Sequence, residues 1–413
     1  MGHVHRQLAI LVMHKHTYKK ISVGGLLFFS LATSAEGIID IKPYASTSIS
    51  HDDNIFRFSS PVQAKASLGT EDASDTVKTV DVGLAVNLRL SRQLVTVATS
   101  ISDNSYNRFK NLDNTGKSNS LRWSWRLGND VYGEISASKS EAVAGFNETK
   151  STSKNLRTTS REFASINWNL HPDWTLSASR EHDQLENALA SSNIYDREDD
   201  IYESGIHYRN QIGTELGLSY RVADSNYPNR NGFAQAVFGN ESTQKNIILN
   251  AAWLPSIKTR ISANVSHVSL DRKDSTQRNF NGFSQRWNLD ESLTGKTSIN
   301  LTAYEEVSPV DDVLSTYVNS KGWGINPTWN ATSKITVRSS IGYEERTYLG
   351  SAGISFSGAE RTDESKHINL SLIYTPTLKS LIQLQYQGEK RTSNSANEGY
   401  QFNNVNFSLR YDY

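Results

Sequence analysis

From about residue 38 to its last residue the chain repeats one pattern: apolar and polar side chains alternate, a turn follows, and the alternation resumes. Val80, Val82, Leu84, Val86, Leu88 and Leu90 share one face of such a stretch, with Asp81, Gly83, Asn87 and Arg89 on the other. Leu121, Trp123, Trp125 and Leu127 alternate with Arg122, Ser124 and Arg126 in the same way. So do Leu216, Leu218, Tyr220 and Val222 against Glu215, Ser219 and Arg221, and Ile382, Leu384 and Tyr386 against Gln383, Gln385 and Gln387. Period two is the repeat of a β-strand, whose successive side chains leave opposite faces. The pattern predicts an all-β protein in which every strand has one apolar and one polar face.

Composition decides what the apolar face meets. Hydrophobic residues make up only 37% of the chain, aromatics reach 10%, and mean hydropathy is -0.53. A soluble core of this length calls for more aliphatic bulk. A transmembrane barrel with a polar lumen does not, because only alternate residues face lipid. No later stretch reads as a membrane helix, and lipid admits only helices and closed barrels. Basic and acidic residues balance at 43 each, which argues against nucleic acid as a partner. Cysteine is absent, so disulfides and thiolate metal sites are excluded.

The N-terminus predicts the compartment. Lys19 and Lys20 precede an apolar stretch from Ile21 to Leu31, followed by Ala32-Thr33-Ser34-Ala35. This is the charged, apolar, small-residue order of a secretory signal, with cleavage expected after Ala35. That places a signal peptide at 1–35, with Met13 as an alternative start, and a barrel over 36–413. His3, His5, His14 and His16 have metal-like spacing, but they precede the cleavage point, and no metal site is assigned to them.

The connections alternate as well. Short turn signals fall at Gly128-Asn129-Asp130, His171-Pro172-Asp173, Pro255-Ser256, Leu293-Thr294-Gly295, Ala331-Thr332-Ser333 and Pro376-Thr377. Between them lie longer polar segments at Asp52–Asp75, Asn107–Gly116, Ala142–Ser153, Leu185–Glu198, Asn226–Asn240, Lys273–Asn281 and Ser393–Gly399. Outer-membrane barrels pair short periplasmic turns with long outer loops, and counting strands between these signals gives roughly 18, with 16 as the lower bound. An even number sends both termini to the periplasm. All eight tryptophans (Trp123, Trp125, Trp168, Trp174, Trp253, Trp287, Trp323, Trp329) fall on apolar faces, and six lie near a short turn, as an interfacial girdle requires. At the C-terminus, Val405, Phe407, Leu409, Tyr411 and Tyr413 alternate with polar residues. This is the form of the last-strand signal read by the barrel assembly machinery.

The segment from Pro43-Tyr44 to Phe58, with His51-Asp52-Asp53-Asn54-Ile55-Phe56-Arg57 after the first strand, resembles the opening of the exosortase-associated exopolysaccharide biosynthesis outer-membrane transporters. Tyr106, Phe109, Leu112-Asp113-Asn114-Thr115-Gly116 and the run from Trp123 to Gly128 continue the likeness, which is clearest over residues 40–150. The resemblance implies a part in moving an exopolysaccharide across the outer membrane, with periplasmic and inner-membrane export proteins as partners. Alternation and spacing do not show that.

Inward parity assigns Arg89, Arg122, Arg126, Arg260, Arg338 and Arg410 to the lumen, where guanidinium groups suit an acidic sugar polymer. Glu134, Glu215, Asp290 and Asp412 share that face, so salt bridges within a polar lumen are the plainer expectation. Asp52, Asp53 and Asn54 carry oxygens of the kind that ligate calcium, but no acidic residues follow at regular spacing. They are read instead as a loop that turns Phe56 and Arg57 into the lumen as a constriction. His267-Val268-Ser269 has the parity of a barrel hydrolase pair facing lipid, without a third group to orient the histidine. His182-Asp183 reads as surface. No catalytic residue, cofactor or metal is assigned. Beside the export conduit, two readings stay open within the membrane: a polysaccharide-anchoring barrel with a plugged lumen, and a general diffusion porin. A soluble β protein is the reading outside it.

Overall fold

A computed structural model describes residues 39–146, 151–310, 315–350 and 360–413. The expected signal peptide, the alternative start at Met13 and the four early histidines lie outside the described residues. Eighteen strands follow one another in chain order. The first six are β1 (Ile39–Asp52), β2 (Asp75–Leu90), β3 (Gln93–Tyr106), β4 (Asn114–Leu127), β5 (Val131–Val143) and β6 (Leu156–His171). Next come β7 (Trp174–Asn187), β8 (Arg197–Arg209), β9 (Glu215–Asn226), β10 (Glu241–Trp253), β11 (Thr259–Arg272) and β12 (Phe280–Ser292). The last six are β13 (Thr297–Pro309), β14 (Tyr317–Asn330), β15 (Ile335–Leu349), β16 (Thr362–Thr377), β17 (Ser380–Ser393) and β18 (Tyr400–Asp412). Each pairs antiparallel with its neighbours, and β18 pairs with β1 from Tyr44↔Asp412 to Asp52↔Asn404. The sheet is therefore a closed 18-strand barrel with no free edge. Among the described residues no helix is long and apolar enough to cross a membrane.

Register carries parity around the whole ring. Tyr44 opposes Gly83, Gly83 opposes Ser100 and Ser100 opposes Ser118, so one face continues unbroken from strand to strand. The other face is the apolar one: Val82, Leu121, Ile166, Leu218, Leu249, Leu372 and Leu384 all lie exposed on the outside. An exposed apolar belt of this extent is intelligible only against hydrocarbon. All eight tryptophans take the outward parity, and Trp168, Trp174, Trp253 and Trp329 stand within a few residues of the short turns.

The short turns, the start of β1 and the end of β18 share one rim, here the terminal rim; the long loops gather at the other, the far rim. The expected turns at 128–130, 172–173, 255–256, 293–295 and 331–333 fall between strands. Pro376-Thr377 does not: β16 absorbs it in a register shift between Tyr374 and Thr377 and turns only at Leu378-Lys379. The turn signals do not mark the tight turns at Ser91-Arg92 and over residues 210–214. Ser91 makes its turn with φ 56°, a left-handed backbone on a residue that does not advertise it.

Candidate functional site

All six arginines assigned to the lumen have inward parity. Three of them are spoken for. Arg122 lies 3.2 Å from Glu134, Arg260 lies 3.1 Å from Glu215, and Arg410 lies 2.7 Å from Asp412 while stacking 3.9 Å over the Tyr44 ring. Tyr44 in turn covers Gly83, where an added Cβ would meet the ring at 2.3 Å. Arg89, Arg126 and Arg338 make no ion pair among the described residues and are exposed to the lumen. Salt bridging thus accounts for half of the set and leaves three cations toward the terminal rim.

Between these charges the wall is built of amides and hydroxyls. Asn264 donates to Asn250 at 2.6 Å, Thr302 donates to Asn288 at 2.8 Å, and Asn300 receives Asn326 at 3.0 Å while donating to Asp290 at 2.8 Å. Asn250, Asn264, Asn288, Arg260 and Glu215 line an inward cavity of about 560 Å³ together with Asn167, His207 and Tyr132. Nearer the far rim the wall becomes ionic. Arg286 grips Glu306 through two hydrogen bonds of 2.8 Å, Tyr304 donates to Glu344 at 2.8 Å, and Asp363, fully buried, sits 2.7 Å from Arg361 and 3.4 Å from Arg391.

The far mouth is narrowed by a loop that folds inward. Between β1 and β2 runs a short helix α1 (Pro61–Leu68), capped by the Ser60 hydroxyl at its start and by Gly69 (φ 76°) at its end. Asp52, on the inner face of β1, binds the Arg57 guanidinium in a two-pronged pair at 2.9 Å, and that guanidinium lies 3.4 Å over the inward ring of Phe402. Asn54 donates to the carbonyls of Phe58 (2.8 Å) and Gln401 (2.9 Å). Asp53 accepts from the backbone and side-chain amides of Asn403 at 2.7 and 2.8 Å. The oxygens considered for calcium are therefore engaged in fixing the loop, and the Asp-Asp-Asn run works as a clasp.

Phe56 corrects the expected constriction. It is buried rather than facing the opening, and its ring packs at 4.9 Å against both Phe109 and Phe146, in a cluster with Phe58, Leu112 and Tyr106. Ile55 and Arg57 do face inward and line a cavity of about 370 Å³ with Tyr106, Glu389, Tyr400 and Phe402. Residues from three loops build this apolar knot, and the Asp75 carboxylate holds one of them by accepting from the N–H groups of Asn107, Arg108 and Phe109 at 2.9–3.1 Å. Sequence reasoning missed Asp75 and the knot. On the opposite side of the mouth, Arg230 donates to the carbonyls of Ile194 (3.0 Å) and Gly239 (2.9 Å), tying the loops after β7 and β9 together.

The remaining candidates lie elsewhere on the barrel. His267 faces outward and stacks edge-on against Phe283 at 5.0 Å, and Ser269 shares that outer face. His182 faces outward against Asp200 at 3.2 Å, whereas Asp183 has inward parity. Phe407, Leu409, Tyr411 and Tyr413 stand exposed on the outside. The Tyr413 N–H donates to the Pro43 carbonyl at 2.9 Å, so the last residue is paired with the first strand.

A closed antiparallel barrel with an apolar outside, a polar lumen and an inward-folded loop has the architecture of outer-membrane porins. Among solved structures, the chain superposes on OccK9 (OpdG) of Pseudomonas aeruginosa with a TM-score of 0.53 at 9% identity, covering 91% of this chain and 98% of that one. A BenF-like porin from Pseudomonas fluorescens Pf-5 gives 0.52 at 10% identity over 91% and 99%. Pseudomonas aeruginosa OccK2 (OpdF) in complex with glucuronate gives 0.51 at 10% over 90% and 98%. At such identities the likeness is one of fold. No protein-family model and no curated protein sequence matches the chain.

Proposed function

We propose that the protein is a passive pore of the outer membrane, with both termini in the periplasm, through which small polar solutes such as sugars and sugar acids diffuse. The observation that carries this is the inner wall. Side chains that need a water-like partner line it on every strand, from the amides of Asn250, Asn264 and Asn288 to the cations Arg89, Arg126 and Arg338. Amides exchange hydrogen bonds with hydroxyls, and guanidinium groups attract carboxylates without a metal or a reaction. The test is single-channel recording of the purified mature barrel in a planar bilayer. A pore gives discrete open steps without any partner protein, together with a reversal potential favouring anions. A silent bilayer refutes the pore and leaves the plugged anchor.

A second reading is favoured by the clasp. The Asp-Asp-Asn-Ile-Phe-Arg run, on which the resemblance to exopolysaccharide transporters rests, is the very segment that shapes the far mouth. On this reading the barrel passes an exopolysaccharide delivered by separate periplasmic and inner-membrane proteins. Deletion followed by assay of extracellular against periplasmic polysaccharide tests it, since a general porin leaves that ratio unchanged.

A further inference from the structure

Toward the far rim the outer face of the barrel passes from apolar side chains to cations. Most of these are matched: Lys117 lies 3.9 Å from Glu141, Arg180 3.1 Å from Asp200, Lys245 3.5 Å from Asp271 and Lys321 3.2 Å from Glu305. Lys366 on β16 and Lys390 on β17 are not. Among the described residues neither makes an ion pair, although the register sets them directly opposite one another. Glu345 and Glu364 oppose each other one rung farther out and do not come within ion-pair distance of either lysine. Like charges facing across a sheet repel, so this rung is costly as it stands and is relieved by an anion placed between the two ammonium groups.

Directly below the two lysines the outer wall is hollow. A cavity of about 400 Å³ opens on the outside, bounded by Trp323, Ile341, Tyr343, Ile368 and Tyr386. Its floor is Gly388, buried beneath the Tyr386 hydroxyl, which an added Cβ would meet at 2.9 Å and which donates to Asn403 at 2.8 Å, with Ile368 3.4 Å away on the other side. Two cations above an apolar trough match the two ends of a phospholipid-like molecule: an anionic headgroup and a chain that prefers hydrocarbon.

We propose that this groove is a specific site for a phosphorylated glycolipid of the outer leaflet. Lys366 and Lys390 share one phosphate, and an acyl chain runs down the hollow between the Tyr343 and Tyr386 rings. The site faces the membrane, so it is independent of what passes through the lumen.

Native mass spectrometry of the detergent-purified barrel tests this, with diphosphoryl lipid A as the probe and phosphatidylglycerol in a parallel arm. The unmodified protein retains one lipid A in preference to phosphatidylglycerol. The double variant K366Q/K390Q loses retention by about tenfold or more, as removing two interfacial cations requires. The double variant K78Q/K139Q, which removes the same charge from unpaired outward lysines elsewhere, leaves retention unchanged. All four lysines are exposed, and heat-modifiable migration on a gel confirms that each variant is folded. Equal retention by K366Q/K390Q overturns the site. So does equal loss in both double variants, which marks a diffuse charge effect, and so does a preference for phosphatidylglycerol.

Discussion

Arg57 binds Asp52 through two hydrogen bonds of 2.9 Å, and it does so from a left-handed backbone with φ 59°. That conformation costs a side-chain-bearing residue about 1 kcal/mol. The fork to Asp52 and the stack on Phe402 offset it. Replacing Arg57 with alanine keeps the strained backbone and leaves the buried Asp52 carboxylate short of its partner, a loss of about 1–3 kcal/mol. The expected outcome is a looser far mouth in an intact barrel: higher single-channel conductance and faster protease cleavage within residues 53–74, with unchanged heat-modifiable migration. Unaltered conductance would show that the loop does not limit the passage.

Charge selectivity should follow the lumen cations Arg89, Arg126 and Arg338, which make no ion pair among the described residues. The triple variant R89Q/R126Q/R338Q removes that positive charge, so the reversal potential in a salt gradient shifts toward cation preference. Flux of a sugar acid falls while flux of a neutral sugar of the same size holds. If both fluxes fall together, the arginines shape the pore without selecting charge.

The outward parity makes a prediction about depth. Leu384 stands exposed near the middle of the apolar belt, whereas its neighbour Gln383 faces inward and donates to Ser371. Leu384→Arg should cost about 2–4 kcal/mol in refolding into lipid vesicles, and Gln383→Arg close to nothing. Urea titration of both variants measures the difference. A reversed order would invert the barrel.

Assembly should depend on the last residue. Tyr413 adds a backbone hydrogen bond to Pro43 and brings its ring to 5.3 Å from the Lys379 ammonium, beyond the final paired rung. Deleting Tyr413 should slow insertion by the barrel assembly machinery several-fold and leave the stability of the finished barrel nearly unchanged. Pulse-chase appearance of the heat-modifiable form checks this, and equal rates would relieve Tyr413 of any signalling part.

Strands and faces were legible because each obeys a local rule. The polarity of one residue predicts that of the next but one, and closure of the ring only extends this from β1 to β18. Lumen parity of Arg89 through Arg410 came with it. The far mouth was not legible for the complementary reason. Phe56, Phe109, Leu112 and Phe146 come from three separate loops and share no period, so nothing in the order of residues announces that they meet. Asp75 looks like any acid at a strand start, yet its value lies in three backbone N–H groups more than thirty positions away. Turn chemistry misled at both extremes: Pro376 marks a bulge within a strand, and Ser91 turns the chain without a glycine.

The clasp spans a seam. Asp53 and Asn54 are bonded to Asn403 and Gln401 of β18, and Arg57 rests on Phe402, so the segment that narrows the entrance also ties the first strand to the last. A hinged gate built from this segment would have to unfasten the cylinder each time it swung. Selectivity at the entrance is thereby coupled to mechanical integrity, and natural variation in what the opening admits should accumulate on the opposite lip, around Arg230, where no such seam is at stake.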